Sequence, residues 1–220
     1  MVITKIERQK RDPHRVNIFL DNAFAFGIHD DVLVEFGLRK GDHLSDDQVN
    51  RITSEEEVSL AKQKAFRFIS YRMRSEKELR MKLTEKEFLP TIVEKTVEHM
   101  RSLGLVNDEE FARRFVHDQQ MRKPVGKRVI VQKLRLKGVA SSIIEHVMSE
   151  HSVPDQEHSA ALVAAKKYLR RKTISRGKAE RMKEQQRLAQ FLARNGFDWA
   201  AISPVLRTIF TSENISNEGE

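Results

Sequence analysis

The sequence predicts a mainly α fold: three tandem three-helix repeats in an elongated curved stack, preceded by a small N-terminal cap made of a β-hairpin and short helices. Two observations lead to this prediction. A helix–break–helix pattern occurs three times, with breaks at Glu87, Gly138 and Gly196, which are 51 and 58 residues apart. Residues 2–28 instead alternate with the two-residue period of strands. Repetition of this kind is typical of solenoids, although chance agreement among amphipathic helices is the alternative.

The composition limits the classes of protein to consider. The 220 residues are 39% hydrophobic and 33% charged, which suits thin helical units better than one thick core. The absence of cysteine excludes disulfides and thiolate metal sites. The sequence has neither a membrane-length apolar run nor a signal-peptide core, so we expect a soluble, cytoplasmic protein. We also expect a monomer.

Residues 15–20 and 23–28 predict the two strands of the hairpin. Asp21-Asn22 between them is a tight-turn signal, and Val2–Arg8 is a candidate third strand. The alternation puts three apolar side chains of each strand on one face: Val16, Ile18 and Leu20 in the first, and Phe24, Phe26 and Ile28 in the second.

Two short helices complete the predicted cap. The first, from Asp30 to Phe36, can cover one face of the hairpin, which would be only marginally stable alone. The second starts at Ser45-Asp46-Asp47 and is expected to end before the first repeat. We therefore predict a cap at 1–56, repeats at 57–106, 107–152 and 153–212, and a frayed tail at 213–220.

Capping signals mark helix starts within the repeats. In the first repeat, Ser75 and Glu78 have the spacing of a capping box. The second repeat has Asn107 or Asp108 as the cap of its first helix, and Ser141 or Ser142 as the cap of its last.

The charge is unevenly distributed along the chain. Residues 1–57 carry 8 Lys/Arg against 12 Asp/Glu, residues 58–150 carry 20 against 12, and residues 151–220 carry 12 against 8. Basic repeats after an acidic cap suggest a polyanionic partner, with nucleic acid as the first candidate. A merely solvated basic surface is the alternative.

The second repeat contains the best candidate binding surface. No acidic residue falls between 119 and 144, and such a basic run repels itself unless an anion is near. Its candidate contacts are Arg113, Arg114, Arg122, Lys123, Lys127, Arg128, Lys133, Arg135 and Lys137. A basic loop in the third repeat adds Arg170, Arg171, Lys172, Arg176 and Lys178.

Three further residues have two interpretations each. Arg72 and Arg74 either contact phosphate or carboxylate groups, or fold back onto a carbonyl at a helix end. Trp199 is expected to pack between the last two helices, with base stacking as the alternative.

No motif of a known enzyme class is recognised. The sequence has no Gly-rich phosphate loop, no His-Glu zinc motif and no Gly-x-Ser-x-Gly, and its eight histidines are dispersed. His29-Asp30-Asp31 is interpreted as a helix start. We predict no catalytic residue, no metal and no cofactor.

Several motifs, in this order and spacing, resemble the RecX family of regulators of the RecA recombinase. They are Tyr71-Arg72-x-Arg74-Ser75-x-x-Glu78-Leu79-x-x-Lys82-Leu83, the run from Gly104 to Ala112, and the run from Gly126 to Val139. Ile3–Ile6 and Phe24–Gly27 also look like longer members. The chain departs from the family at Glu87, where a Lys-Gly pair is usual.

The resemblance implies three-helix repeats that bind in the groove of the RecA filament on single-stranded DNA. It also implies modulation, commonly inhibition, of filament assembly, of its ATPase and of strand exchange, in DNA recombination, repair and the SOS response. Binding of double-stranded DNA is left open. The alternatives from other classes are a free-standing DNA-binding or architectural protein and a metal-dependent nuclease.

Overall fold

The computed structural model describes residues 1–122, 124–150, 154–170 and 177–215, apart from the side chains at 120–122, 154–156, 178 and 211–215. Within these residues the chain forms one three-stranded sheet and ten helices, and it divides into two compact units, Met1–Val106 and Asn107–Glu220. The strands are β1 (Ile3–Arg8), β2 (Arg15–Leu20) and β3 (Ala23–His29). The helices are α1 (Asp30–Glu35), α2 (Asp46–Tyr71), α3 (Glu76–Thr84), α4 (Pro90–Ser102), α5 (Asp108–Arg122), α6 (Lys127–Leu136), α7 (Ser141–Glu150), α8 (Pro154–Leu169), α9 (Lys178–Arg194) and α10 (Trp199–Ile215). None of the helices in the described ranges is long and apolar enough to cross a membrane.

The N-terminal sheet is antiparallel, with strand order β1-β2-β3. The predicted hairpin turn is confirmed: Asp21 and Asn22 have φ values of 47° and 70°, and Leu20 pairs with Ala23 across them. A two-residue loop with positive φ at both positions matches the natural twist of the strands it joins. The candidate third strand is confirmed as β1.

The predicted face of Phe24 is wrong. Ile18 pairs with Phe26 but Phe19 pairs with Phe24, so Ala25 is an extra residue in β3. Such a bulge moves the residues beyond it to the other face of the sheet. Phe24 consequently lies opposite the core, 60% exposed, with its ring edge against Phe19.

Helix α2 is one continuous helix where the sequence predicted two. Its first residues follow a complete capping box, in which Ser45 and Gln48 exchange side-chain and backbone hydrogen bonds. No Gly or Pro interrupts residues 46–71, so nothing in the sequence forces a break. The boundary predicted after residue 56 therefore lies within a helix.

The same helix contributes to two hydrophobic cores. Near its start, Ile52 packs in the core beneath the sheet, whereas Ala61 and Ala65 further on pack with α3 and α4. Between them, the buried Glu56 accepts hydrogen bonds from the Arg15 guanidinium and from the His29 backbone N–H, both at 2.6 Å. Helix α2 thus joins the cap to the first repeat.

The three predicted helix breaks are confirmed. Glu87, Gly138 and Gly196 have φ values of 65°, 82° and 86°, which place all three in the left-handed region. After the last two, the N–H groups of Val139 and Phe197 donate to carbonyls five residues back, closing the helix ends. Three three-helix repeats therefore follow the cap: the end of α2 with α3 and α4, then α5–α7, then α8–α10.

Two helix starts differ in how well the sequence predicted them. Asn107 caps α5, since its Oδ1 accepts hydrogen bonds from the N–H groups of Glu109 and Glu110, as predicted. The prediction of a serine cap for α7 is wrong. That helix begins at Ser141, and the Ala140 carbonyl accepts its first helical hydrogen bond, so Ala140 occupies the N-cap position.

The expectation that Trp199 packs between the last two helices is also wrong. Trp199 is the first residue of α10 and its side chain is 66% exposed. Phe197 fills the corresponding space in the core instead, together with Ile202 one turn into the helix.

Candidate nucleic-acid interface

Helix α6 is held at its start by the turn between α9 and α10. The Gly126 N–H donates to the Asn195 carbonyl at 2.8 Å, and the Arg128 N–H donates to the Gly196 carbonyl at 3.2 Å. A Cβ on Gly126 would lie 2.1 Å from backbone atoms of Gly196 and Phe197, so only glycine permits this approach. The contact satisfies N–H groups that the first turn of a helix leaves unpaired, and it joins the second repeat to the third.

The two sides of α6 have opposite character. Ile130 and Leu134 are buried against α5 and α7, while Arg128 and Arg135 are exposed. Residues seven apart lie on the same helix face, so the two guanidinium groups point the same way. Neither side chain has a hydrogen bond or ion pair with any residue in the described part of the chain. With no acid on the helix, this face can receive an anion.

The lysines of the second repeat are held more closely to the protein. The Lys133 Nζ donates to the Gln119 side chain at 2.8 Å, and the Lys137 Nζ lies over the rings of Phe111 and Phe115. Both side chains are half-buried, whereas Lys127 is exposed at the first residue of α6. Lys133 and Lys137 are therefore turned towards α5, and the exposed arginine pair lies on the other side of α6.

The adjacent Arg113 and Arg114 have internal partners. The Arg113 guanidinium donates to both carboxylate oxygens of Glu150 at 2.9 and 3.0 Å and also pairs with Glu109. The hydrogen bond to Glu150 and the charges of both carboxylates raise the pKa of Arg113 despite desolvation. Arg114 pairs with Asp118 one turn along at 3.6 Å. Arg113 therefore connects α5 to α7 and is a weaker candidate for phosphate contact.

The alternative interpretation of Arg74 as a helix-end contact is confirmed. Its Nε donates to the Phe68 carbonyl near the end of α2 at 3.0 Å, and its guanidinium lies over the Phe68 ring. Desolvation and the neighbouring charge of Arg72 lower the pKa of Arg74. Arg72 donates to the Glu78 carboxylate at 2.8 Å and to the Met73 carbonyl. Both arginines stabilise the junction between α2 and α3.

Six of the predicted contact side chains lie outside the described part of the chain. Lys123, Arg171, Lys172 and Arg176 lie outside the described residues, and so do the side chains of Arg122 and Lys178. Arg170 is described: it is exposed at the end of α8, where its N–H donates to the Lys166 carbonyl.

His29, Asp30 and Asp31 form a cluster at the start of α1, with possible ligand atoms within 4.8 Å of one another. The sequence interpretation of a helix start is confirmed, because the His29 Nδ1 caps α1 by accepting from the Asp31 N–H at 3.3 Å. Desolvation acts to raise the pKa of Asp30, but His29, His14 and Arg8 together outweigh it and lower that pKa. The cluster is therefore already balanced by cationic and hydrogen-bonding neighbours.

A second basic helix face was not predicted from the sequence. Lys64, Phe66, Arg67 and Tyr71 are all exposed on the second half of α2. The signal was available in the sequence, since no acidic residue occurs between Glu57 and Glu76.

The fold and these surfaces define a class: a tandem helical-repeat protein with a small sheet at its start and acid-free basic helix faces. Family models place it more closely. The model for the regulatory protein RecX N-terminal domain matches residues 1–45, and those for the first, second and third RecX three-helix domains match residues 61–100, 107–148 and 155–206. The chain belongs to the RecX family.

Individual relatives agree with this assignment. The regulatory protein RecX of Clostridium acetobutylicum is 33% identical over 214 residues, covering 96% of this chain and 98% of that protein. The regulatory protein RecX of Bacillus subtilis is 34% identical over 219 residues, covering 99% of this chain and 81% of that protein. A crystal structure of a regulatory protein RecX superposes with a TM-score of 0.78 at 28% identity, covering 94% of this chain and 98% of that one.

Proposed function

We propose that this chain is a non-enzymatic regulator that binds the RecA recombinase filament on single-stranded DNA and lowers recombinase activity in recombination and repair. Its relatives are named regulatory proteins, which fits a chain that acts by binding. We expect it to act as a cytoplasmic monomer.

The observation that carries the proposal is the exposed face of α6. Arg128 and Arg135 lie on one side of a helix whose other side is buried, and they have no partner among the described residues. Guanidinium groups presented in this way match phosphate oxygens, and each phosphate neutralised releases condensed counterions. An anchored helix fixes the backbone positions of both arginines before binding, so only their side chains lose freedom on association.

Charge alone also fits a second function, a free-standing DNA-binding protein. The two proposals differ in the preferred ligand. A filament regulator has contacts to the recombinase as well as to the strand, so several weak contacts add through effective concentration. A free-standing binder depends on the strand alone.

Binding to two ligands separates these functions. Fluorescently labelled protein is titrated with bare single-stranded DNA and with the same strand coated by recombinase and a non-hydrolysable nucleotide. We expect tighter binding to the coated strand, together with a reduced recombinase ATPase rate. Equal or tighter binding to the bare strand would favour the free-standing binder and contradict the proposal.

A further inference from the structure

The second half of α2 presents a solvent face that the contacts described so far do not use. Lys64, Arg67 and Tyr71 are spaced i, i+3 and i+7, so they form one line along the helix, and the exposed Phe66 lies on the adjoining flank, about 100° around the axis from Arg67. The opposite side of the same turns is buried, with Ala61 and Ala65 fully enclosed in the core of the first repeat. The face is therefore fixed in orientation by the packing behind it.

The charge of this segment is of one sign. Between Glu57 and Glu76 there are five basic residues and no acid: Lys62, Lys64, Arg67, Arg72 and Arg74. Three of the five have internal partners, since Lys62 lies 3.9 Å from Glu55, Arg72 bonds Glu78 and Arg74 bonds the Phe68 carbonyl. Lys64 and Arg67 have no side-chain partner within the described ranges, so their charges face solvent.

Two aromatic side chains accompany these charges. Tyr71 is 85% exposed, the largest exposed fraction among the described large hydrophobic side chains, and Phe66 is 45% exposed. Neither ring stacks on another aromatic ring of the described chain. Two rings exposed to water forgo the favourable free energy of burying apolar surface. A nucleic-acid base that stacks on such a ring contributes about 1–3 kcal/mol to the binding free energy.

We infer that the solvent side of α2, with Lys64, Arg67 and Tyr71 in one line and Phe66 on the adjoining flank, is a second contact site for single-stranded nucleic acid. Lys64 and Arg67 neutralise successive phosphates, and Tyr71 and Phe66 stack on unpaired bases. Exposed rings interleaved with cations suit an unpaired strand, because the bases of a duplex are already stacked on one another. The inference rests on the proposed function, to which it adds a contact in the first unit that is separate from α6.

The test measures binding of the full chain to a labelled oligothymidine by fluorescence anisotropy. Tyr71→Ala should weaken binding about tenfold, because one base loses its stacking partner. Tyr71→Phe keeps the ring and should bind like wild type. Lys64→Gln with Arg67→Gln should reduce the slope of log K against log salt by about 1.4, or about 0.7 per phosphate contact. Because all of these side chains are exposed, thermal melting of each variant should match wild type and serves as the control.

The outcomes separate this inference from the proposed function. If wild type binds the recombinase-coated strand and Tyr71→Ala binds the bare strand as tightly as wild type does, the α2 site is disproved while the proposed function stands. If Tyr71→Ala loses affinity only for the coated strand, the face contacts protein, and the inference is again overturned. If wild type binds neither ligand, the proposed function itself fails.

Discussion

At the residue scale, the sequence correctly predicted the helix breaks and some of the caps, because residues close in the chain determine the backbone conformation there. The break at Glu87 and the cap at Asn107 follow from spacing and side-chain chemistry within a few residues. The partners of long cationic side chains were not predictable in this way. Arg113 bonds Glu150, 37 residues away, and only the packing of α5 on α7 brings them together. A basic residue in a sequence is therefore only a candidate contact until its partners are known.

Two of the three helix breaks, Glu87 and Gly138, predict opposite effects of matched substitutions. Glu87 has a left-handed φ of 65° with a side chain that disfavours it, while Gly138 at 82° has none. Glu87→Gly should leave stability unchanged or raise it by up to about 1 kcal/mol, and Gly138→Ala should lower it by about 1 kcal/mol. Urea unfolding measures both. A Gly138→Ala protein as stable as wild type would contradict the left-handed assignment.

At the scale of elements, the sequence predicted which helices and strands form better than it predicted where they end and how they are aligned. Helix α2 continues through a predicted boundary because residues 46–71 contain no breaker, and the two cores it serves are not visible in a local pattern. The bulge at Ala25 reversed the predicted face of Phe24 for a similar reason. One extra residue changes the register without leaving a compositional signal.

Two glycines that are each the N-cap of a helix should differ in how much an alanine substitution lowers stability, because only Gly126 anchors α6 to another part of the chain. Gly126 and Gly177 both occupy N-caps with φ of −72°, so alanine is compatible with the backbone at each. A Cβ at Gly126 meets the backbone of Gly196, but at Gly177 it meets only the mobile end of the Glu180 side chain. Gly126→Ala should lower the free energy of unfolding by roughly 1–3 kcal/mol through overpacking, and Gly177→Ala by much less. Equal melting temperatures for the two variants would show that the α6 contact contributes little to stability.

At the scale of the whole molecule, the repeat pattern in the sequence was sufficient to predict three three-helix repeats after a small sheet, and the family models match each of them. The site was less predictable. Of the sixteen basic candidates, the structure singles out Arg128 and Arg135 because they share one face of a helix, are both exposed and have no side-chain partner in the described residues. Exposure and pairing of a side chain depend on how the chain packs, so the sequence alone gave a longer list of candidate contact residues.

We propose that this arginine pair contacts the recombinase filament on its strand. Arg128→Glu with Arg135→Glu tests it most directly, alongside Arg39→Glu with Lys40→Glu, an exposed basic pair in the acidic cap that changes the net charge equally. The measurement is affinity for recombinase-coated single-stranded DNA at several salt concentrations. We expect the α6 variant to bind roughly tenfold or more weakly with a shallower salt slope, while the cap variant stays near wild type. Equal losses in the two variants, or wild-type affinity in the α6 variant, would contradict the account.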